Sequence, residues 1–356
     1  MDKRMNVAAA RRFVERAMRG YGFSEADAAI TADVLLTADL YGIQSHGIHR
    51  LKRYADAVRE GSIVPSATAR TVFETPLSAV WDAPKTLGQA VAHRGMETAI
   101  EKARAHGFGI VTARGSNHYG IAGYYTMMAV KADMIGVCMT NTEAIAIPTH
   151  GRKAMLGTNP IAFAMPADPV PFWYDAATTV VPRGKLEVYN KAEKPLPSGW
   201  AADEYGHDCS DGARVLSNII AKAGGGIFPL GGFSEETGSH KGYGLGLIVE
   251  LMTAVLSGGA TSPNVKHSGN ADTSFTFIAM DYGMFGDKAE VKARLSGLLR
   301  ELRESPKAEG QARIYTHGEK ELESAARLER EGIPVNEKTL EEMREIAAEL
   351  GIEAEF

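Results

Sequence analysis

The sequence predicts an α/β fold, and three observations carry that prediction. Short apolar runs of strand length, such as "FGIVTA" (108–113) and "MIGVCMT" (134–140), alternate with longer segments of helical spacing. The first sixty residues and the tail beyond Asp287 read as helices and turns. Apolar residues make up 44% and charged residues 23% of the 356, the balance of a globular chain with a sizeable core.

In order along the chain, residues 6–19 form a helix with Phe13, Val14 and Met18 toward one side, ended by Gly20 and Gly22. Ser24 caps a second helix that runs to about Asp39, with Glu25 and Asp27 at the positive end of its dipole. Ser45 is the expected cap of a third helix, which ends near Gly61 ahead of Pro65. "TVFETPLSAVWDA" reads as short strands, and "GQAVAHRGMETAIEKARAHG" as a helix closed by Gly107. Strand 108–113, the loop "RGSNHYG", a helix through "IAGYYTMMAVKA" and strand 134–140 follow. From 141 to 240, Gly, Pro and turn residues dominate, with strands at "IAFAMP" and "FWYDA". The stretch 224–242 is too irregular for regular structure and too long for a simple connector, which marks a functional loop. "YGLGLIVELMTAVLSGG" (243–259) reads as a buried apolar helix, and "SFTFIAM" (274–280) as a strand.

Bulk properties remove several function classes. A net charge of −5 gives no overall attraction to nucleic acid. No apolar run approaches the ~18 residues of a membrane span, and the basic N-terminus lacks the apolar centre of a signal peptide. Cys138 and Cys209 are the two cysteines, and they form no C-x-x-C pair. Neither a disulfide framework nor a thiolate zinc site is expected, and a cytoplasmic location is.

Two stretches concentrate chemistry. "SHGIHRLKRY" brings His46, His49, Arg50, Lys52 and Arg53 within eight residues. On a helix begun at Ser45, His46 and Arg50 share a face that Tyr54 extends. A guanidinium offers a planar fork to a carboxylate, and an imidazole beside it exchanges protons near neutral pH. The plain alternative is a solvated basic helix end; a metal site fits less well, because no acidic or thiol ligand is near. His118 lies in "GSNHYGIAGYY", at the carboxyl end of a buried strand, where α/β proteins place ligands. Gly115, Gly120 and Gly123 let the backbone come close to a ligand, and Asn117 can orient one. A buried structural histidine is the alternative there. No G-x-G-x-x-G joins a strand to a helix, and "GYGLGL" (242–247) is only a near match, so a Rossmann domain is disfavoured. Lys185 and Lys241 each stand beside glycine and can hold phosphate or ribose, although single Gly-Lys pairs are common.

Taken together, "SHGIHRLKRY", "SNHYGIAGYY", "LGTNPIAFAMP", "YDAATTVVPRGK" and "HKGYGLGL", in that order, resemble the type-2 malate/L-lactate dehydrogenase family. These NAD(P)-dependent oxidoreductases include sulfolactate, ureidoglycolate and diketogulonate enzymes and cyclic imino acid reductases. The resemblance continues to "HGEKELESAARLEREGI" and so covers nearly the whole chain. It implies an α/β, family-specific, non-Rossmann dinucleotide-binding fold with helical N- and C-terminal regions. It also implies a homodimer with its active site at or near the subunit contact. Residues 116–242 would form the nicotinamide cofactor region, flanked by a discontinuous substrate and dimerisation region, 1–115 and 243–356.

On this resemblance Arg50 binds the substrate carboxylate, with Ser45, Asn117 and Tyr54 around the substrate. His118 and His46 match the family's two catalytic histidines, and His118 is the expected proton donor. Thr142, the segment Asp175, Ala177, Thr178 and Thr179, the pair Lys241-Gly242 and the turn Gly318-Glu319 match cofactor-contacting stretches. The family reads Pro-Gly-Glu at that turn, and His317 replaces the proline here. The expected cofactor is NAD or NADP, with NAD preferred, and the expected substrate is a small 2-oxo or 2-hydroxy acid. Three rivals stand beside this reading: a cyclic imino acid reductase on the same fold, a metal-dependent hydrolase built on His46, His49, His118 and His150, and a non-catalytic dinucleotide-binding protein.

Overall fold

Side-chain caps decide where many helices of this chain begin. Asn6, Ser24, Asp211, Asp287 and Asn336 each accept a backbone N–H three residues on, which fixes helix starts at the next residue. Gly107 and Gly351 close two helices in the left-handed conformation.

The computed structural model describes residues 3–266 and 272–354. The N-terminal part holds β1 (Lys3–Met5), α1 (Val7–Gly20), α2 (Glu25–Leu40) and α3 (Leu51–Arg59). The central part begins with β2 (Arg70–Glu74), β3 (Ser78–Asp82), α4 (Gly88–His106), β4 (Phe108–Ser116), α5 (Ala122–Lys131) and β5 (Ile135–Thr140). It continues with β6 (Ile161–Met165), β7 (Phe172–Ala176), α6 (Arg183–Lys191), β8 (Ala201–Ala202), α7 (Gly212–Ala221) and β9 (Gly226–Ile227). The rest comprises α8 (Ser239–Glu250), β10 (Thr273–Met280), α9 (Lys288–Glu304), α10 (Glu319–Glu331), β11 (Ile333–Val335) and α11 (Glu337–Leu350).

A seven-stranded sheet runs in the order β2-β3-β4-β10-β5-β6-β7. Only β3 and β4, joined through α4, pair in parallel; the other neighbours are antiparallel. A parallel, doubly wound dinucleotide sheet is therefore absent from the described residues, in line with the missing glycine fingerprint. Strands from both sides of the expected 115/116 and 242/243 divisions share this one sheet. Helices α4 and α5 pack on it so closely that a Cβ on Gly95 would meet the Phe277 ring at 2.6 Å. Phe275, Phe277, Met96, Tyr119 and Tyr125 fill that layer. A second core joins α1, α2, α3 and α11, where Phe13, Leu35, Leu51, Tyr54 and Ile346 meet. The antiparallel pair β1 and β11 ties the two ends of the chain together beside it.

Three expectations need correction. Ser45 does not cap a helix: two short 3-10 turns, Gln44–His46 and Ile48–Arg50, precede α3. Between them Gly47 faces the buried Asp39 carboxylate, where a Cβ would sit 1.8 Å from Oδ1, and Asp39 takes the Ile48 N–H at 2.7 Å. That bond from α2 sets the turn geometry, and no local signal announces it. Helices α6 and α7 stand in the region expected to be turns and strands, and α8 starts inside the expected loop at Ser239. The apolar segment 243–259 is not a uniform buried helix: it passes through a π turn at Leu251–Val255 and leaves one side open. Leu245, Ile248, Leu251 and Val255 are between 36% and 55% exposed.

Candidate active site

The site lies where the N-terminal helical core meets the sheet. His46 comes from the first 3-10 turn, Arg50 from the end of the second, Tyr54 from the first turn of α3, and His118 from the loop between β4 and α5. The His46 and His118 rings stack with centroids 5.4 Å apart and planes 24° from parallel. Sequence reasoning proposed these residues separately, and the fold brings them together.

Each ring is held through Nδ1. Ser45 Oγ lies 2.8 Å from His46 Nδ1, and Tyr54 Oη lies 2.8 Å from His118 Nδ1. A tyrosine hydroxyl can donate to a bare nitrogen or accept from a protonated one, so Tyr54 keeps His118 oriented in either state. Burial pushes the Tyr54 phenol up to about 12, so it stays neutral. Gln89, fully buried on the first turn of α4, abuts that phenol without a well-formed hydrogen bond from either amide atom. Tyr54 thus contacts the imidazole, where a substrate contact was expected. Asn117, expected near the substrate, donates its buried amide to Ser62 O and Thr86 O, both at 3.0 Å. These two bonds fix the loop that carries His118. Gly88 presses from behind, where a Cβ would meet Asn117 O at 2.2 Å.

Arg50 donates Nε to Ser45 O at 2.7 Å, which folds its guanidinium back over the turn. Its terminal nitrogens have no carboxylate partner among the described residues. Glu187 acts on Arg50 and His49 from α6, where Arg183 already binds it at 2.9 Å. The local field is therefore strongly positive. Burial, then Arg50, His49 and Arg53, hold the His46 imidazole down to about 3. Burial, then Arg53, His46, Arg50 and His49, hold His118 well below the usual histidine value. Both rings are neutral at rest, and an anion placed among these groups would raise both. Burial also pushes the Asp39 carboxyl, which pins the His46 turn, up to about 7. His150, the fourth histidine of the metal-site rival, is exposed and pairs with Glu235 at 3.5 Å. Among the described residues no grouping of three or more His, Cys, Asp or Glu is arranged for a metal.

The residues expected at a cofactor divide into three sets. Asp175 accepts the Gly123 N–H at 2.7 Å at the start of α5, and burial pushes its carboxyl up to about 6. Asp175 also lines a cleft of about 310 Å³ with Ile43, Trp173, Ala176, His317, Gly318 and Lys320. Ile43, one wall of the cleft, directly precedes the turn that carries His46, while neither His46 nor His118 is in the lining. Gly318 caps α10 at φ 99°, 3.0 Å from Trp173 Cβ if it bore a side chain, and Glu319 turns inward to accept the Thr316 N–H at 2.6 Å. His317, the departure from proline, accepts the Trp173 N–H through its carbonyl at 3.1 Å and packs its ring edge-on to Phe172 and Tyr174. Thr142, Thr178 and Thr179 bind backbone atoms near Thr158, Asn159 and Val181, while Ala177 is half-buried beside them. Gly242 is packed against the Leu230 backbone, whereas Lys185 and Lys241 are exposed with no ion pair among the described residues. Sequence reasoning missed Asp39 and Gln89, whose signal is only their burial in the fold.

Known proteins share the sequence family and the fold. The family model for malate/L-lactate dehydrogenase matches residues 5–344. A malate dehydrogenase of Pyrococcus abyssi is 43% identical over 342 residues, 96% of this chain and 93% of that protein. An L-sulfolactate dehydrogenase of Methanocaldococcus jannaschii is 38% identical over 344 residues, 95% of this chain and 94% of its own length. The crystal structure of malate dehydrogenase from Entamoeba histolytica superposes with a TM-score of 0.96 at 34% identity, covering 100% of both chains. With its fold and its full-length matches in agreement, the chain belongs to the malate/L-lactate dehydrogenase family, oxidoreductases that interconvert 2-hydroxy and 2-oxo acids.

Proposed function

We propose that this protein reduces a small 2-oxo acid to its 2-hydroxy acid, and the reverse, with His118 moving the proton and Arg50 holding the carboxylate. The observation that carries this reading is the stacked pair of neutral imidazoles beside guanidiniums that lack a carboxylate partner. A nicotinamide dinucleotide, when bound, supplies or accepts the hydride. The cleft beside Ile43 and the 315–321 turn has residues for such a group: a glycine in the left-handed region and the polar side chains Asp175, Thr316, Lys320 and Glu321 in its lining. Thr142, Asp175 to Thr179, Lys241-Gly242 and Gly318-Glu319 are the segments we assign to it, within the 116–242 region and the tail.

Arg50 binds the carboxylate and so aligns C2 and its oxygen with the imidazoles. The substrate's negative charge offsets the guanidiniums and raises the His118 pKa, so the ring takes up a proton as substrate binds. The protonated ring then donates to the carbonyl oxygen, with Tyr54 steadying it through Nδ1. His46, with Ser45 on its Nδ1, lies against the same oxygen as a neutral partner. NAD is the preferred form, because Asp175 and Glu321 in the cleft oppose a 2′-phosphate while Lys320 alone favours it.

The test is oxidation of NADH and of NADPH against oxaloacetate, sulfopyruvate, pyruvate, 2-oxoglutarate and pyrroline-2-carboxylate. Turnover of a 2-oxo acid supports the reading. Turnover of the cyclic imine alone would replace it with imine reduction, and dinucleotide binding without any turnover would leave a binding protein.

The same reading includes a homodimer and a cytoplasmic setting. The exposed apolar side of 245–255 suits a second copy, since a patch of this kind on a lone chain favours association. Cys138 and Cys209, free and buried, fit a reducing compartment, and no helix among the described residues is long and apolar enough to cross a membrane. The expected solution mass is twice the 38.2 kDa of one chain. Ile248→Glu should lower it, and a monomeric native protein would remove the dimer from the proposal.

A further inference from the structure

Four lysine and arginine side chains, Arg50, Lys52, Arg53 and Arg59, sit close together in the chain around this site, and their pairing separates them. Lys52 is occupied by Asp56, at 2.7 and 2.8 Å to its two oxygens. Arg59 is occupied by Asp56 and Glu349. Arg50 is anchored through Nε to Ser45 O, and Arg53 is exposed with no hydrogen bond or ion pair among the described residues. Arg50, the N-cap of α3 in right-handed helical conformation, and Arg53 on its first turn are three apart, so they emerge on one side of the helix start, which also carries Tyr54, whose hydroxyl holds His118. Arg53 lowers the proton affinity of Arg50, and it depresses His118 more than Arg50 does. Two guanidiniums that both act on the His46 and His118 rings, neither with a carboxylate ion pair among the described residues, leave an unbalanced positive charge. A substrate with a single carboxylate neutralises one of them. The second remains.

We propose that Arg53 is the specificity residue of this site: it binds a second anionic group on C3 of the substrate, so the enzyme selects dianionic 2-oxo acids over pyruvate-like monoanions. The inference rests on the dehydrogenase reading above and names the substrate class within it. The 2-carboxylate sits on Arg50, and the distal carboxylate or sulfonate lies one helical step away on Arg53. A guanidinium is suited to either group, since both present two or more oxygens to its fork.

The geometry gives Arg53 a signature that a general structural role would not. Removing its charge deletes the grip on the distal group, which lowers kcat/KM for a dianion. It also removes the charge that depresses His118, so the ring holds its proton more readily and the reduction of a monoanion is helped. The two substrate classes should therefore move in opposite directions.

The experiment compares native enzyme, Arg53→Gln and Arg53→Lys on oxaloacetate, sulfopyruvate and pyruvate with saturating reduced cofactor. Native enzyme should favour the dianions. In Arg53→Gln, kcat/KM for oxaloacetate and sulfopyruvate should fall about 10- to 100-fold, the loss expected for a charge-assisted hydrogen bond. Pyruvate should hold or rise. Arg53→Lys should recover part of the discrimination. A parallel fall on all three substrates would overturn the proposal, as would a change confined to the KM of the cofactor, which would assign Arg53 to a phosphate. Native enzyme that turns over pyruvate as well as oxaloacetate would overturn it while leaving the dehydrogenase reading intact. Silence on every 2-oxo acid would overturn both.

Discussion

Replacing His118 with Asn is expected to lower kcat/KM for 2-oxo acid reduction by about 10²- to 10⁴-fold, the range a positioned proton donor contributes. Asn is close in shape to the near half of an imidazole and can accept from the Tyr54 hydroxyl, which lies 2.8 Å from His118 Nδ1. The loop should keep its path, because Asn117 fixes it through Ser62 O and Thr86 O independently of the ring. Dinucleotide affinity, read by fluorescence titration, should therefore change little. A large loss of turnover with cofactor binding retained is the result that assigns the proton to His118.

The pH dependence supplies the sign. The free-enzyme pKa of His118 is held well below the usual value by burial and by Arg53, His46 and Arg50. Reduction needs the protonated ring, so kcat/KM for reduction should fall about tenfold per unit as pH rises above that pKa. Oxidation of the hydroxy acid needs the neutral ring, so its kcat/KM should rise through the same pKa and then level off. The Asn variant should lose both limbs. If His46→Asn abolishes them and His118→Asn keeps them, the two histidines exchange roles. Burial and the neighbouring cations lower both rings at rest, so the two variants, not the resting protonation, decide between them.

Much of this site was legible because its parts are local. The strand-loop-helix context of His118 is written in "FGIVTARGSNHYGIAGYY", and β4 and α5 stand there, with β4 longer than expected by three residues at its end. The cap at Ser24 and the stop at Gly107 act within a turn of their own residues, and both hold. The failures have non-local causes. Ser45 has the right residue type for a cap, but Asp39 from the preceding helix takes the Ile48 N–H and forces two 3-10 turns. Strand β10 enters the sheet between β4 and β5, a pairing that spans about 160 positions in sequence and leaves no pattern to read. Helix α7 was within reach, since Asp211 caps it and "ARVLSNIIA" has helical spacing, yet the glycines and prolines around it hid the signal. Arg53 illustrates a different limit. A solvated basic helix end is the plain alternative for its stretch, and exposure alone agrees; only the pairing of Lys52 and Arg59 with acids leaves Arg53 as the free one.

Arg50→Lys is the second change of large expected effect, and it separates charge from geometry. Lysine keeps the positive charge, so the field on His46 and His118 is roughly preserved, and the pH limbs should stay near their native positions. The fork is lost. Native Arg50 uses Nε to hold Ser45 O at 2.7 Å and keeps its terminal nitrogens for a ligand. One ammonium cannot reach back to Ser45 and also present two parallel donors to a carboxylate. Losing one charge-assisted bond and the alignment it enforces should lower kcat/KM about 10- to 100-fold. Because misalignment affects the transition state as well as binding, kcat should fall along with a rise in KM. Arg50→Gln should do worse and should also move the pH limbs upward, since the charge that depresses His46 and His118 is gone. If Arg50→Lys behaves like native enzyme, the carboxylate sits elsewhere. If Arg50→Lys and Arg50→Gln are equally impaired with the same pH limbs, the contribution of Arg50 is the hydrogen bond to Ser45 that shapes the His46 turn, and its charge is incidental.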